Sequence, residues 1–146
     1  MQRLKTRDQF QAVMAAGQTV SRTAHFALHR LALGEPAVPS PGPALFSVAQ
    51  PWIGAVVPKR WARRAVTRNT LKRQIYTVAQ DFADQLTVAA HIVRLRAGFD
   101  RQQFPSATSA PLKRAVRAEL QQQMAQWIRE VALAIDAEGR DEQDHR

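Results

Sequence analysis

The chain has 146 residues, with 21 lysines and arginines against 12 aspartates and glutamates, and a formal net charge of +9. This length is most simply one domain, large enough to bury a core without covalent cross-links. The absence of cysteine excludes a disulfide framework and thiolate metal sites, and no segment approaches the roughly 20 apolar residues that a bilayer-spanning helix needs.

The first predicted element is a short helix at residues 7–16. Thr6 and Gln9 fit the capping-box pattern, in which each side chain accepts a hydrogen bond from a backbone N–H at the start of a helix. Gly17 follows and predicts a left-handed stop. Residues 20–33 then alternate in polarity and are rich in strand formers, which predicts a first strand with two usable faces.

A proline-rich segment separates this strand from the next one. Five of the eight prolines fall within residues 34–51, which predicts a long, mobile hairpin connection without regular pairing. Residues 45–48 could extend the strand that follows. The apolar run at 52–57, ended by Pro58, is typical of a buried strand.

A basic run follows at once and is predicted to be helical over about four turns. Residues 59–73 carry seven cationic side chains and no carboxylate, and such like charges repel one another unless the surface faces a polyanion. Residues 1–80 hold twelve basic and two acidic residues, whereas residues 81–146 hold nine and ten. This asymmetry favours nucleic acid over an ordinary solvated helix face. A membrane-surface helix would need a bulky apolar face, and Trp61 is the only bulky aromatic residue in the run.

The second half of this helix has a different character. Leu71, Ile75, Val78 and Phe82 form an apolar stripe, so we expect this half to pack on the sheet while the first half projects from it. Asn69 lies on the polar flank of the helix. Asparagine is intrinsically unfavourable in the middle of a helix.

The remaining elements complete an alternating order. Residues 91–98 predict a strand, and the order strand–helix–strand predicts that it pairs in parallel with the strand before the basic helix. A last helix is predicted at 111–135, from Pro111 in its first turn and an apolar stripe at helical spacing. Residues 136–146 are polar and predict a disordered tail.

The basic run resembles the signature of the protein component of bacterial ribonuclease P. Val-Pro-Lys-Arg at 57–60 and Arg-Ala-Val-Thr-Arg-Asn-Thr-Leu-Lys-Arg at 64–73 carry the likeness, and the segments at 10–17, 25–29, 53–57 and 91–98 follow the family's order. The resemblance spans about residues 3–135. Two positions depart from the pattern: Thr70 stands where the family has a second arginine, and Met14 stands where an aromatic residue is usual.

The resemblance implies an α+β fold in one domain at residues 1–135, with the order α-β-β-β-α-β-α. That fold has three helices and a four-stranded mixed sheet, and its β-α-β unit has a left-handed crossover, against the general right-handed rule. The implied function is that of a ribonuclease P subunit, which binds the catalytic RNA and the 5′ leader of precursor tRNA. The leader is then removed endonucleolytically in tRNA 5′ maturation.

The same resemblance implies two sets of site residues. The RNA-binding set is Lys59, Arg60, Arg63, Arg64, Arg68, Asn69, Lys72 and Arg73. The candidates for a leader groove between the first helix and the sheet are Phe10, Val13, Met14, Phe26 and His29. The alternative interpretation of the second set is structural, with Phe10, Met14 and Phe26 in the core and His29 in an ordinary hydrogen bond.

The side chains themselves offer no evident catalytic set. The four histidines have no metal-ligand spacing, and no Ser/His/Asp arrangement is apparent. We therefore expect no catalytic or metal-binding protein residue, catalysis in the RNA subunit, and Mg²⁺ held through that RNA. The expected partners are the catalytic RNA and precursor tRNA, for a monomeric, cytoplasmic protein without a signal peptide or membrane contact. The alternative is a general RNA- or DNA-binding module, for example ribosomal, and a standalone nuclease ranks third.

Overall fold

A mixed five-stranded sheet with helices on both faces organises the computed structural model, which describes residues 1–33, 45–100, 102–106 and 109–144. The elements, in chain order, are β1 (Gln2–Arg3), α1 (Arg7–Ala16), β2 (Gln18–Arg22), β3 (Phe26–Ala32), β4 (Trp52–Val56), α2 (Ala65–Asp81), a 3-10 turn (Ala83–Gln85), β5 (Ala89–Leu95) and α3 (Ala110–Asp144). The strand order is β1-β4-β5-β3-β2. β4 runs parallel to β1 and β5, whereas β3 is antiparallel to β5 and β2.

The sequence predicted the class and most of the order correctly. The α+β class, the three helices, the mixed sheet and the parallel β4–α2–β5 unit are confirmed. The predicted count of four strands is wrong, because residues 2–3 add a fifth strand beside β4. Its backbone is held by Gln2 N donating to Pro51 O at 3.0 Å and Leu4 N donating to Ile53 O at 2.9 Å. The single strand predicted at 20–33 is instead the end of β2, a turn and β3.

α1 begins and ends as predicted, but the reason for its end differs from the prediction. Thr6 Oγ1 accepts from Gln9 N at 3.2 Å, and Gln9 Oε1 accepts from Thr6 N at 3.1 Å, so the capping box is confirmed. Gly17 has φ −76°, an extended conformation, so the predicted left-handed stop is wrong. Glycine is needed there for close approach, since a Cβ would lie 2.4 Å from Val13 O and 2.9 Å from Arg30 O.

The proline-rich segment does not close a hairpin. β5 lies between β3 and β4, so the strands on either side of the segment are not neighbours, and that part of the prediction is wrong. Residues 34–44 lie outside the described part of the chain. Residues 45–51 contain no strand, so 45–48 do not extend β4, although Trp52 Nε1 donates to Val48 O at 3.1 Å.

The sheet has a separate apolar core on each face. One face packs on α2 and α3, and the predicted stripe of Leu71, Ile75 and Val78 is buried there. Its other buried members include Phe26, Leu28, Ile53, Val93, Leu95, Leu120 and Met124. The second face packs on α1, with Leu4, Val13, Trp52, Ala90 and Ile92 buried between them.

The last helix is longer than predicted at both ends. It begins at Ala110 after Ser109, whose Oγ accepts from Leu112 N at 3.2 Å, and its backbone continues to Asp144. The disordered tail at 136–146 stays a prediction, and residues 145–146 lie outside the described part of the chain.

His91, which is fully buried in β5, makes the stability of the fold depend on pH. Its Nδ1 donates to Trp52 O at 3.2 Å. Burial lowers the pKa of His91 from 6.5 to about 4, opposed by the hydrogen bond to Trp52 and assisted by the charge of Arg30. The unfolded chain therefore binds the proton first as the pH falls below about 6.5, and stability is lost from there down to about pH 4.

We expect this one group to cost about 3 kcal/mol of unfolding free energy by the lower limit of that window. The measurement is urea denaturation of the wild type and His91→Gln near neutral pH and at about pH 4.5. His91→Gln should be less stable near neutral pH, but its stability should fall less with acid. Parallel pH dependences in the two proteins would contradict this assignment, since carboxylates titrate equally in both.

Candidate nucleic-acid interface

The basic run is a turn followed by a helix, not one continuous helix. Residues 59–64 form a turn after Pro58, whose carbonyl oxygen accepts from Trp61 N at 3.1 Å and Ala62 N at 3.2 Å. Ala62 is buried in the α2/α3 core and ties the turn down. α2 begins only at Ala65, so the prediction that Arg60 and Arg64 lie on its helical surface is wrong.

Arg68 supports this turn from the first part of α2. Its Nη1 donates to Ala62 O at 3.1 Å and to Arg63 O at 2.8 Å, and the side chain is half-buried. Part of its hydrogen-bonding capacity is therefore used inside the protein. A residue predicted to bind RNA thus also positions the neighbouring arginines.

The exposed flank of α2 carries Asn69, Lys72 and Arg73, which we call the α2 stripe. All three side chains are exposed, and Asn69 and Arg73 are neighbours one turn apart. Thr70, at the position that departs from the family pattern, donates its hydroxyl to Val66 O at 2.9 Å. That hydroxyl therefore bonds to its own helix.

One cation beside α2, Arg3, was not predicted from the sequence. The Arg3 guanidinium lies 4.2 Å from the centre of the Tyr76 ring, a cation–π contact between β1 and α2. The Tyr76 hydroxyl in turn accepts from Ala55 N at 3.3 Å, on the edge of β4 beyond the end of β1. No periodic pattern marks a two-residue strand, so this contact could not be predicted from the sequence.

The start of α2 concentrates positive potential. Arg64 is the N-cap and provides no side-chain cap, and the first turn contains no acidic residue. The first N–H groups of a helix lack intrahelical partners and form the positive end of its dipole. Among the described residues, His25 and Glu119 form the one ion pair with nitrogen and oxygen within 4.0 Å of each other. No cation of the basic run therefore pairs with a carboxylate there. Such a surface is suited to binding phosphate.

A second basic cluster lies on the α1 face of the sheet. His29 pairs with Ile92 across β3 and β5, and Arg94 lies two residues from Ile92, so both point to the face that α1 partly covers. Arg22 pairs with Ala27 and points the same way. We call Arg22, His29 and Arg94 the sheet-face cluster.

Hydrogen bonds fix the protonation state of His29. Its Nε2 accepts from Arg94 Nε at 3.1 Å, so its Nδ1 donates to Thr19 Oγ1 at 3.0 Å. Burial lowers the pKa of His29, and the charges of Arg94 and Arg22 lower it further. The imidazole is therefore neutral and holds the Arg94 side chain in place. Arg22 and Arg94 were not predicted from the sequence, because the face to which they point depends on the register of the strands.

The predicted groove residues divide between the two faces. Phe10 is half-buried and packs over Gly54, where an added Cβ would lie 2.7 Å from its ring. Met14 is 43% exposed on α1, whereas Val13 of the same helix is fully buried against the sheet. Phe26 is fully buried in the core on the opposite face, so it cannot share a groove with the others. The structure keeps Phe10, Met14 and His29 on one side of the sheet.

Two further chemical possibilities find no support in the described part of the chain. No group of three or more histidine or acidic side chains there could hold a metal ion. No helix there is both long and apolar enough to cross a membrane.

Known proteins that are similar to this chain share one family name. A family model described as Ribonuclease P matches residues 1–132. The "Ribonuclease P protein component" of Burkholderia pseudomallei (strain 1106a) is 32% identical over 130 residues, which is 89% of this chain and 85% of the relative. The protein of the same name from Ralstonia pickettii (strain 12J) is 36% identical over 120 residues, 82% of this chain and 74% of the relative.

Solved structures show the same fold at low identity. The RNase P protein of Staphylococcus aureus superposes with a TM-score of 0.61 at 18% identity, covering 86% of this chain and 94% of the other. That of Thermotoga maritima gives 0.56 at 16% identity, covering 82% and 92%.

Proposed function

The chain belongs to the ribonuclease P protein family, and from this premise we propose that it is the protein subunit of a bacterial-type ribonuclease P. In this role it binds the catalytic RNA and the 5′ leader of precursor tRNA, and promotes endonucleolytic removal of the leader. The observation that carries the proposal is the run of seven cations at 59–73, which has no carboxylate partner among the described residues. A surface of this kind is stabilised by a polyanion.

The catalytic RNA is assigned to the surface formed by the α2 stripe and the exposed side chains of the turn at 59–64. Lysine and arginine contacts to phosphate oxygens position an RNA without reading its sequence. The cations also offset the repulsion between the catalytic RNA and its tRNA substrate, which both carry dense negative charge.

Catalysis is assigned to the RNA subunit. Phosphodiester hydrolysis needs an activated oxygen nucleophile and stabilisation of developing charge, commonly by metal ions held on carboxylates. The described side chains provide no such ligand group, so the residues do not fit a protein-held Mg²⁺ site. We therefore propose that RNA holds the Mg²⁺. The same proposal makes the protein a monomer apart from its RNA and places it in the cytoplasm.

The leader is assigned to the α1 face of the sheet. Single-stranded RNA is bound by cations along its backbone together with side chains that cover its bases. The sheet-face cluster supplies two arginines, and Met14 and Phe10 supply exposed or half-buried apolar surface on α1. The neutral imidazole of His29 keeps the Arg94 guanidinium oriented toward this groove.

Reconstitution tests the proposal directly. Purified protein is added to a bacterial ribonuclease P RNA, and cleavage of precursor tRNA is followed at near-physiological salt over a range of magnesium concentrations. We expect a large gain in rate or affinity at low magnesium and a small gain at high magnesium, because divalent ions screen the same phosphates. No cleavage is expected when the RNA subunit is omitted.

Two results would overturn this function. An absence of stimulation at any magnesium concentration, with RNA binding intact, would leave a general RNA-binding module. Leader removal by the protein alone, persisting after nuclease treatment that destroys contaminating RNA, would identify a standalone nuclease.

A further inference from the structure

A cleft of about 510 Å³ lies where the turn at 59–64 meets Phe99, Phe104, Pro105 and the start of α3. Its floor is apolar and includes Leu71 of α2 and Leu112 of α3, both buried in the α2/α3 core. The volume falls in the range typical of small-molecule and nucleotide pockets. The cleft therefore lies across the sheet from the groove assigned to the leader.

Three aromatic rings form the walls of this cleft. Trp61 is 39% exposed, so part of its ring is accessible to a ligand in the cleft. Phe104 stands edge-on to Phe99, with their ring centres 6.0 Å apart. Rings held in this way are the surfaces on which unpaired bases stack, and stacking tolerates any base.

The back wall is held rigid by contacts from other elements. The Phe99 ring stacks on His25 with a centre-to-centre distance of 3.8 Å and an angle of 9°, and it also contacts Phe26 at 6.1 Å. His25 Nδ1 is bound to Glu119 Oε1 at 2.7 Å, and the other oxygen of Glu119 accepts from Thr23 Oγ1 and from His25 N. A wall fixed before binding lowers the ordering cost of a ligand.

The rim of the cleft is cationic. Arg60, Arg63 and Arg64 line it together with the aromatic rings, and no carboxylate is among the lining residues. The Arg60 guanidinium lies 5.3 Å from the centre of the Trp61 ring, so charge and aromatic surface are adjacent. The aromatic walls suit a nucleotide base, and the arginine rim suits the phosphate of that nucleotide. An apolar ligand would not need the arginines, and a peptide of mixed charge would not need a rim of positive charge alone.

We propose that this cleft receives one unpaired nucleotide of the catalytic RNA, its base against Trp61 and Phe104 and its phosphate against the arginine rim. This inference rests on the proposed function and deepens it. The catalytic RNA is favoured over the leader for two reasons. The turn at 59–64, which is assigned to the catalytic RNA, lines the cleft. The cleft also lies on the other face of the sheet from the sheet-face cluster.

The test uses full-length protein and a bacterial ribonuclease P RNA. Trp61→Ala and Phe104→Ala are each expected to weaken RNA binding by roughly five- to hundredfold, because one stacked base is lost. Since no charge is removed, the slope of log affinity against log salt should stay at the wild-type value. Trp61→Phe keeps a stacking surface and should restore most of the affinity.

Fluorescence adds a readout that a purely structural role would not move. The emission of Trp61, taken as the difference between wild type and Trp61→Phe, should change when the RNA binds. Melting temperatures of all variants identify loss of fold, and Val88→Ala, an exposed apolar residue outside the cleft, is the matched control.

The two proposals fail in different ways. If the wild type binds and activates the RNA while a well-folded Trp61→Ala binds equally tightly, the cleft inference is overturned and the proposed function stands. If Trp61 emission is unchanged in the complex, the inference is also overturned. If the wild type does not bind the RNA, both are overturned.

Discussion

Replacing Lys72 and Arg73 together by alanine is expected to weaken binding of the catalytic RNA about thirtyfold. Both side chains are exposed on α2 without a carboxylate partner in the described structure, so their removal should cost the fold little. Each charge-assisted contact to phosphate contributes about 1 kcal/mol in an exposed setting, and two such contacts give this factor.

Salt dependence distinguishes phosphate contact from simple solvent exposure. Each phosphate neutralised contributes about 0.7–0.9 to the slope of log affinity against log salt, so the double variant should flatten the slope by about 1.5. The charge-conserving variant Lys72→Arg/Arg73→Lys should keep the wild-type slope. Arg129 is exposed on α3, and Arg129→Ala should change neither the affinity for RNA nor the slope. An unchanged slope in the double alanine variant would show that these side chains only face solvent.

Arg68 is the poorer choice for this test, although the sequence places it at the centre of the signature. Its bonds to Ala62 O and Arg63 O hold the turn that presents the other arginines. Its replacement would move several contacts at once, so a loss of affinity could not be assigned to one phosphate.

Replacing Arg22 and Arg94 together by alanine is expected to remove about tenfold or more of the preference for precursor over mature tRNA. The two arginines lie on the α1 face, where the leader is proposed to bind, and mature tRNA has no leader to lose. The measurement is the affinity of the reconstituted enzyme for each tRNA.

Controls separate this effect from instability. Arg94 also donates to His29, so Arg94→Lys, which keeps the charge, and melting temperatures are needed beside the double variant. Arg7→Ala, exposed at the start of α1, removes one charge outside the cluster. Equal weakening for both tRNAs, or a loss of folding, would count against the leader groove.

Local signals allowed part of this fold to be predicted. The ends of α1 follow from Thr6, Gln9 and Gly17, and β4 follows from an apolar run that stops at Pro58. The start of α2 could not be found in the same way. Its turn depends on the burial of Ala62 and on the bonds of Arg68, which are tertiary contacts that no local pattern encodes.

The candidate site shows the same division. Composition alone identified the basic run, because unpaired like charges have no structural reason to cluster. The walls of the cleft could not be predicted, since Trp61 and Phe104 are far apart in sequence and meet only in the fold. The sheet-face cluster required the register of β3 and β5, which determines the face to which Arg94 points.

The central position of β5 has a consequence for synthesis on the ribosome. β5 is the last strand in the chain, yet it lies between the pair β1–β4 and the pair β3–β2. The two pairs cannot be joined into one sheet until residues 89–95 have been synthesised. The nascent chain therefore carries unpaired strand edges for most of its length, which invites aggregation. Sheet closure must await long-range pairing, so folding of this protein is completed late and slowly. The most cationic part of the chain, residues 59–73, is synthesised before β5, so its charges are present while the sheet is still open.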